Sequence, residues 1–461
     1  MATTRRLATL GAYLRPHWRE ATLGIIALLT VNGLGVYIPL LIRSAVDKLS
    51  ESFTYGEILR SVVLSVSLTS AMWLIRMASR IWIFGVGRQV EFELKQKIFE
   101  HLLKLEPAYF ATNPVGDLIS RATSDVDKIR SLLGFAVLNL VNAVFAYTLT
   151  LPVMLYLSVD LTLASLAIYP LMFLLVYIFS DRLRNEQSQV QESIADISQF
   201  IQEDVSGISL IKIYAQEENE RRAFAEKNQN LLWAKLKQAQ SRNTLFPLIA
   251  GLANISSLII IWLGATRILA GSLAVGDFVA LLIYVERLVF PTALLGFTIT
   301  AYQRGEVSID RVESILNSQP KIKNSDQSLA LPSSSVKGEI TAKNLCYTYP
   351  GSLSPALDNI SFTIHPGELV AIVGAIGAGK STLANSLPRL LDVQPGQLFL
   401  DGVDITQTPL LDLRGAITYV PQDSFLFSTT IKNNIRYGDP TEKQDAIERI
   451  AQRSQIHSEI I

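Results

Sequence analysis

The run GELVAIVGAIGAGKSTL, Gly367 to Leu383, holds the residues whose types and spacing most clearly imply chemistry. Gly374, Ala375, Ile376, Gly377, Ala378, Gly379, Lys380 and Ser381 spell Gly-x4-Gly-Lys-Ser, the phosphate-loop pattern. Glycines in such a loop let successive backbone N–H groups converge on phosphate oxygens, and the following helix start adds a favourable dipole. Lys380 then reaches the β- and γ-phosphates of a nucleoside triphosphate, and the Ser381 hydroxyl is placed to ligand Mg²⁺. The apolar LVAIV before the loop predicts a buried strand leading into it, and STLANSL, which includes Thr382, predicts the helix that leaves it. An accidental glycine turn would not be flanked in this way.

A phosphate grip alone does not say what the bound nucleotide drives, so the remaining sequence must position it against something. Basic and acidic residues balance at 41 each, and no sequence-wide field draws the chain toward nucleic acid. Charged residues make up only 18%, below the ~25% usual for soluble domains, and the mean hydropathy is +0.30. Cys346 is the sole cysteine, which excludes an internal disulfide and a thiolate metal cluster and suits a reducing compartment.

Six apolar runs approach the roughly twenty residues needed to cross a ~30 Å hydrocarbon core. They cover Ala21–Ile42, Ile58–Phe84, Leu132–Leu157, Leu161–Phe179, Leu245–Leu269 and Phe278–Ala301. Buried helices of a soluble bundle rarely supply six such runs. The first, third and fifth connections are short and carry few Lys or Arg. The second holds seven between Arg88 and Arg130, and the fourth nine between Arg182 and Arg242. The positive-inside rule places both long connections, and with six spans both termini, on the cytoplasmic side, which implies a multi-pass protein of the inner (plasma) membrane. Residues 1–20, with Arg5, Arg6, Arg15 and Arg19 beside Leu7, Tyr13 and Trp18, read as an interfacial helix.

The long connections have helical spacing of their own: Val90, Leu94, Ile98 and Leu102 precede an Asn113-Pro114 break and a second helix. Arms of about twenty residues would project ~30 Å beyond the membrane. The polar NSQPKIKNSDQSLALPSSSVKGE marks a linker, and from Glu339 strand-like runs alternate with turns. The domains expected are 1–20 interfacial helix, 21–312 six-helix membrane domain, 313–338 linker and 339–461 α/β domain. The fold class is a polytopic all-α membrane domain with long cytoplasmic helical extensions, followed by a partial α/β P-loop nucleotide-binding domain.

Glu286 and Arg287 lie inside the sixth run. Charges near a bilayer centre cost about 2.5–3.5 kcal/mol each on insertion scales, so they face partners or a wet cavity. Two readings stay open: at least one lines a translocation path, or the pair is structural and bonded to neighbouring helices. Arg76 and Arg80, in the second span, read as snorkelling at the inner interface and are assigned no function.

Taken with its surroundings, the phosphate loop resembles that of an ATP-binding cassette (ABC) exporter of the half-transporter type. PALDNISFTIHPGELVAIVG is similar to the family's approach to the loop, PGQLFLDGVDI to the following hairpin, and YVPQDSFLFSTTIKNNI to the glutamine loop. YFATNPVGDLISRATSDVDKIR and SGISLIKIYAQEENERRAF resemble its coupling segments, and GDFVALLIYVERLVFP its sixth helix, so nearly the whole chain is covered. The resemblance implies ATP and Mg²⁺ as cofactors, with adenine stacked on Tyr349 and Gln422 sensing Mg²⁺. It also implies a membrane-embedded dimer with a second half-transporter subunit, exporting a lipid, drug or peptide. Ile376 departs from the family's small polar residue, at a position where the cradle is mostly backbone.

The same resemblance implies further groups after Gln422: a Leu-Ser-Gly-Gly-Gln-type signature, a Mg²⁺-holding Asp, a water-activating Glu and a switch His. None follows before RSQIHSEII, and Lys380 and Gln422 are the only catalytic positions present. The expectation is a nucleotide-binding domain truncated before the signature. Such a chain does not hydrolyse ATP by itself and needs the rest of the cassette, carried on another chain in one version. Without the neighbouring strand, ELVAIV would leave its ladder bonds and apolar faces unsatisfied. The alternative is a degenerate, non-hydrolytic scaffold or regulator of an intact partner, or the product of a split or frameshifted gene.

Overall fold

A computed structural model describes residues 9–51, 55–324 and 336–461. Residues 325–335 of the expected linker, and the first eight residues of the N-terminal segment, lie outside these ranges. The chain divides into two units, Met1–Leu103 with Val115–Ser318, and Lys104–Pro114 with Gln319–Ile461.

The first unit is all helix. Six helices among its described residues are long and apolar enough to cross a membrane: α1 (Thr9–Leu49), α2 (Tyr55–Leu102), α4 (Val115–Leu157), α5 (Val159–Ser206), α7 (Glu217–Leu269) and α8 (Val275–Leu316). Two short helices, α3 (Pro107–Thr112) and α6 (Ile208–Ile213), lie in the long connections, α3 belonging to the second unit. Helices suit hydrocarbon because every backbone bond closes within the segment. Their lengths exceed the membrane's need. The 48 residues of α2 extend about 72 Å and the 53 of α7 about 80 Å, against a core of ~30 Å, so helical arms continue well beyond the bilayer.

The expected break at Asn113-Pro114 is present: Asn113 is extended and a new helix starts at Val115. α4 is less regular than its sequence suggests, with π-helical turns at Arg121–Asp125 and Leu132–Ala136. Asp125, the last residue of the first of these turns, is buried and accepts from Ser308 of α8 (3.1 Å), with Lys128 at 2.9 Å and Arg311 at 3.2 Å. Arg311 also reaches Asp117 at 2.7 Å. The N-terminal helix is continuous with the first span apart from a tight turn at Arg15–His17. Tyr13 donates to Glu313 (2.6 Å), and His17 meets Glu93 at 2.9 Å.

α8 is the centre of the bundle. Leu281, Tyr284, Val285 and Leu288 are fully buried against Met154, Tyr169, Met172 and Ile260. Two hydroxyls stitch it laterally: Tyr284 donates to the Val36 carbonyl (2.6 Å) and Tyr169 to that of Val285 (2.8 Å). At its N-terminal end Gly276 donates to Asp47 (2.7 Å), and Arg43 pairs with Asp277 at 2.6 Å. A Cβ at Gly276 would strike the Arg43 carbonyl, so a side chain there would push the ends of α1 and α8 apart.

The second unit carries a four-stranded antiparallel sheet, ordered β2-β1-β3-β4, from β1 (Ile340–Tyr347), β2 (Leu357–Ile364), β3 (Leu398–Leu400) and β4 (Val403–Asp404). Leu345, Leu357, Leu398, Ile405 and Leu413 form its core. β3 and β4 join through Asp401-Gly402, both at positive φ (50° and 77°), the conformation that the expected Asp-Gly hairpin demands. The Asp401 carboxylate accepts from the N–H groups of Lys337 (2.7 Å), Gly338 (2.9 Å) and Glu339 (2.8 Å), fixing the start of β1.

One expectation fails. Residues 368–373, read as a buried strand, pair with no strand among the described residues, and Leu369 and Val373 are 99% and 89% exposed. A strand buried on both faces needs flanking strands, and the four that form belong to a separate antiparallel layer.

Candidate functional site

The loop from Gly374 to Gly379 turns sharply because Gly377 (φ 83°) and Gly379 (φ 88°) occupy the left-handed region. Ala378 donates to the Ala375 carbonyl (3.2 Å), closing the turn. A Cβ at Gly379 would run into the Ala356 carbonyl, so that position needs glycine for space as well as conformation. From Gly379 the chain enters α9 (Lys380–Ser386), whose Leu383 N–H returns to Gly379.

The side chains singled out from the sequence gather around this turn. Lys380 Nζ donates to the carbonyls of Gly374 (2.9 Å) and Ala375 (2.8 Å), so its ammonium lies across the loop it is expected to serve. Ser381 Oγ is 3.4 Å from Gln422 Oε1, although the two are 41 residues apart. Thr382 is buried, and its hydroxyl meets that of Tyr349 at 3.1 Å. The Tyr349 ring packs edge-on against Tyr347, with centroids 5.0 Å apart, and stays 37% exposed. An aromatic face is thereby pinned beside the loop. Ile376 projects fully into solvent, so its departure from a small polar residue leaves the turn undisturbed.

These residues fit the groups the sequence implies. A hydroxyl and an amide oxygen brought together are hard oxygen donors of the kind Mg²⁺ prefers. An ammonium over a glycine turn suits phosphate oxygens.

The first unit holds a cavity of about 280 Å³ among α1, α2, α4 and α8. Arg287 lies on its wall and donates to the Asn32 carbonyl (3.1 Å) and Oδ1 (3.3 Å). Gly35 makes room for it, since a Cβ there would fall on the guanidinium. Glu286, one residue earlier, is exposed and does not line the cavity. Arg76 and Arg80, read from sequence as snorkelling residues, line the same cavity, as do Asn139 and Asn142. Sequence reasoning missed that grouping, although each is a polar side chain in or beside an apolar run, which is the available signal.

Both regions match models of known families. Residues 22–292, more than half the chain, match the family model described as ABC transporter transmembrane region, and residues 357–460 match that described as ABC transporter. The chain belongs to the ABC transporter family. One membrane region followed by one nucleotide-binding region gives this ABC transporter the half-transporter arrangement of the exporters. It is 31% identical over 450 residues to a Bacillus subtilis (strain 168) protein named "Probable multidrug resistance ABC transporter ATP-binding/permease protein YheI", covering 97% of this chain and 76% of that protein. It is also 31% identical over 459 residues to a Staphylococcus aureus (strain Mu50 / ATCC 700699) protein, provisionally named multidrug export ATP-binding/permease protein SAV1866. That match covers 97% of this chain and 78% of the other. The six spans make this ABC transporter a multi-pass membrane protein.

Proposed function

We propose that the chain is the membrane-spanning and ATP-gripping part of an ATP-driven exporter that works as a dimer in the inner membrane, with both termini cytoplasmic. The observation that carries this reading is the convergence of Lys380, Ser381, Thr382, Tyr349 and Gln422 on one glycine turn, in a chain that also carries six spans. Gly374–Gly379 and Lys380 hold the phosphates, Ser381 and Gln422 hold Mg²⁺, and Tyr349 faces the base. Bound MgATP supplies phosphoryl-transfer free energy, and these residues bind and orient it.

ATP shifts the transporter only through tighter binding to the conformation in which two cassettes close on it. Hydrolysis requires water positioned and charge neutralised together, and Lys380, Ser381 and Gln422 supply the phosphate and Mg²⁺ side of that requirement. The names of the relatives make multidrug-type cargo the first class to assay. Residues 1–20, 21–312, 313–338 and 339–461 serve as membrane-surface helix, translocation domain, linker and cassette portion.

Titrating the purified 461-residue chain with a fluorescent ATP analogue tests the reading. Saturable binding that strengthens with Mg²⁺ and is displaced by ATP is expected. Signal indifferent to Mg²⁺ and to competing ATP would remove the basis for assigning Ser381 and Gln422.

A further inference from the structure

The cavity among α1, α2, α4 and α8 has a one-sided polar lining. Three guanidinium groups, Arg76, Arg80 and Arg287, share it with Asn32, Asn139 and Asn142. Among the described residues none of the three arginines forms an ion pair. Arg287 is held by the carbonyl and side-chain oxygen of Asn32, and the hydrogen bond of Arg76 goes to the Met72 sulfur at 3.9 Å. Guanidinium does not lose its proton in proteins, so this lining stays positive in an apolar setting.

The amides are built in. Asn32 is 3% exposed and donates to Asn142 Oδ1 (3.1 Å) and the Leu28 carbonyl (2.9 Å), which turns its own oxygen toward Arg287. The rest of the wall is apolar, with Leu28, Leu138 and Phe290. Unpaired arginines beside hydrocarbon surface match a molecule with an oxyanion at one end and an apolar body at the other.

A second cavity of the same unit, about 730 Å³, has the same bias. Lys128, Arg184, Arg242 and Arg304 line it against a single acid, Asp127, which Arg130 holds at 2.6 Å. Lys128 and Arg184 have acidic neighbours of their own, Asp125 at 2.9 Å and Asp181 at 3.8 Å, whereas Arg242 and Arg304 pair with none among the described residues.

We infer that the Arg76–Arg80–Arg287 cavity binds the anionic headgroup of an amphiphile, and that this cluster gives the transporter a preference for anionic cargo. The inference deepens the export reading and rests on it. It assigns Arg76 and Arg80 a binding role that their position near a span end does not suggest.

The test uses the purified chain in detergent at fixed ionic strength, without nucleotide, so a failure of ATP binding leaves the result readable. Fluorescent phosphatidylglycerol and phosphatidylcholine with identical acyl chains are the probes, and inorganic phosphate in large excess is the competitor. The native chain is expected to bind phosphatidylglycerol about tenfold more tightly, the loss of one charge-assisted contact being worth that factor. Arg76→Gln with Arg287→Gln removes the preference, and Arg76→Lys with Arg287→Lys keeps most of it. Equal affinity for the two lipids, or a preference that survives the glutamine pair, overturns the site. Displacement of the lipid by phosphate alone overturns the amphiphile assignment, and failure to displace supports it.

Discussion

Replacing Lys380 with alanine is expected to weaken MgATP binding roughly a hundredfold. Lys380 Nζ makes two hydrogen bonds, to the carbonyls of Gly374 and Ala375, on the inside of the turn. Phosphate oxygens would replace those carbonyls as stronger acceptors, because both partners are then charged. Two charge-assisted bonds at about 1.5 kcal/mol or more each give a loss of about 3 kcal/mol, and every 1.4 kcal/mol is tenfold in affinity. The turn itself should survive, since Gly377, Gly379 and the Ala378–Ala375 bond do not involve the lysine side chain. Fluorescent-nucleotide titration of Lys380→Ala measures the effect. An affinity within threefold of the native value would mean that the loop does not receive the triphosphate.

The second large effect concerns folding. Asp401→Ala is expected to destabilise the antiparallel sheet by about 3 kcal/mol. Its carboxylate accepts three backbone N–H groups, from Lys337, Gly338 and Glu339, and its own φ of 50° lies where alanine is strained and aspartate is tolerated. Bonds to a half-exposed carboxylate are each worth less than buried ones, so the three together and the strain make up the total. Hydrogen exchange at Lys337–Glu339 and along β1 reads it out, with rates rising on the order of a hundredfold. Asp401→Asn, which tolerates the same backbone but carries no charge, should fall between. Unchanged exchange in the alanine variant would show that β3 and β4 hold β1 without this anchor.

These two sites also show what the sequence disclosed. The phosphate loop was legible because its chemistry is local: eight consecutive residues fix the glycines, the lysine and the hydroxyl. The Asp-Gly hairpin was legible for the same reason. The six spans were legible through composition, because hydrocarbon imposes one rule on every residue of a crossing helix. The pairing of ELVAIV was not, because a strand's neighbours are set by residues far away, and Leu369 and Val373 are left facing solvent. Grouping failed most clearly at the cavity. Asn32, Arg76, Asn142 and Arg287 come from four helices, and each taken singly has an ordinary explanation. The π-helical turns of α4 carry no local signal either. The first of them ends on Asp125, which is buried beside Arg311 and Ser308.

The reading stands or falls on whether the turn around Lys380 takes a triphosphate whose Mg²⁺ is held by Ser381 and Gln422. Measuring nucleotide binding to the purified chain and to Ser381→Ala, with Mg²⁺ and with chelator, tests it most directly. Saturable binding that Mg²⁺ strengthens in the native chain, and that Mg²⁺ no longer strengthens in Ser381→Ala, is the predicted result. Binding that is the same with and without Mg²⁺ in both proteins would contradict it.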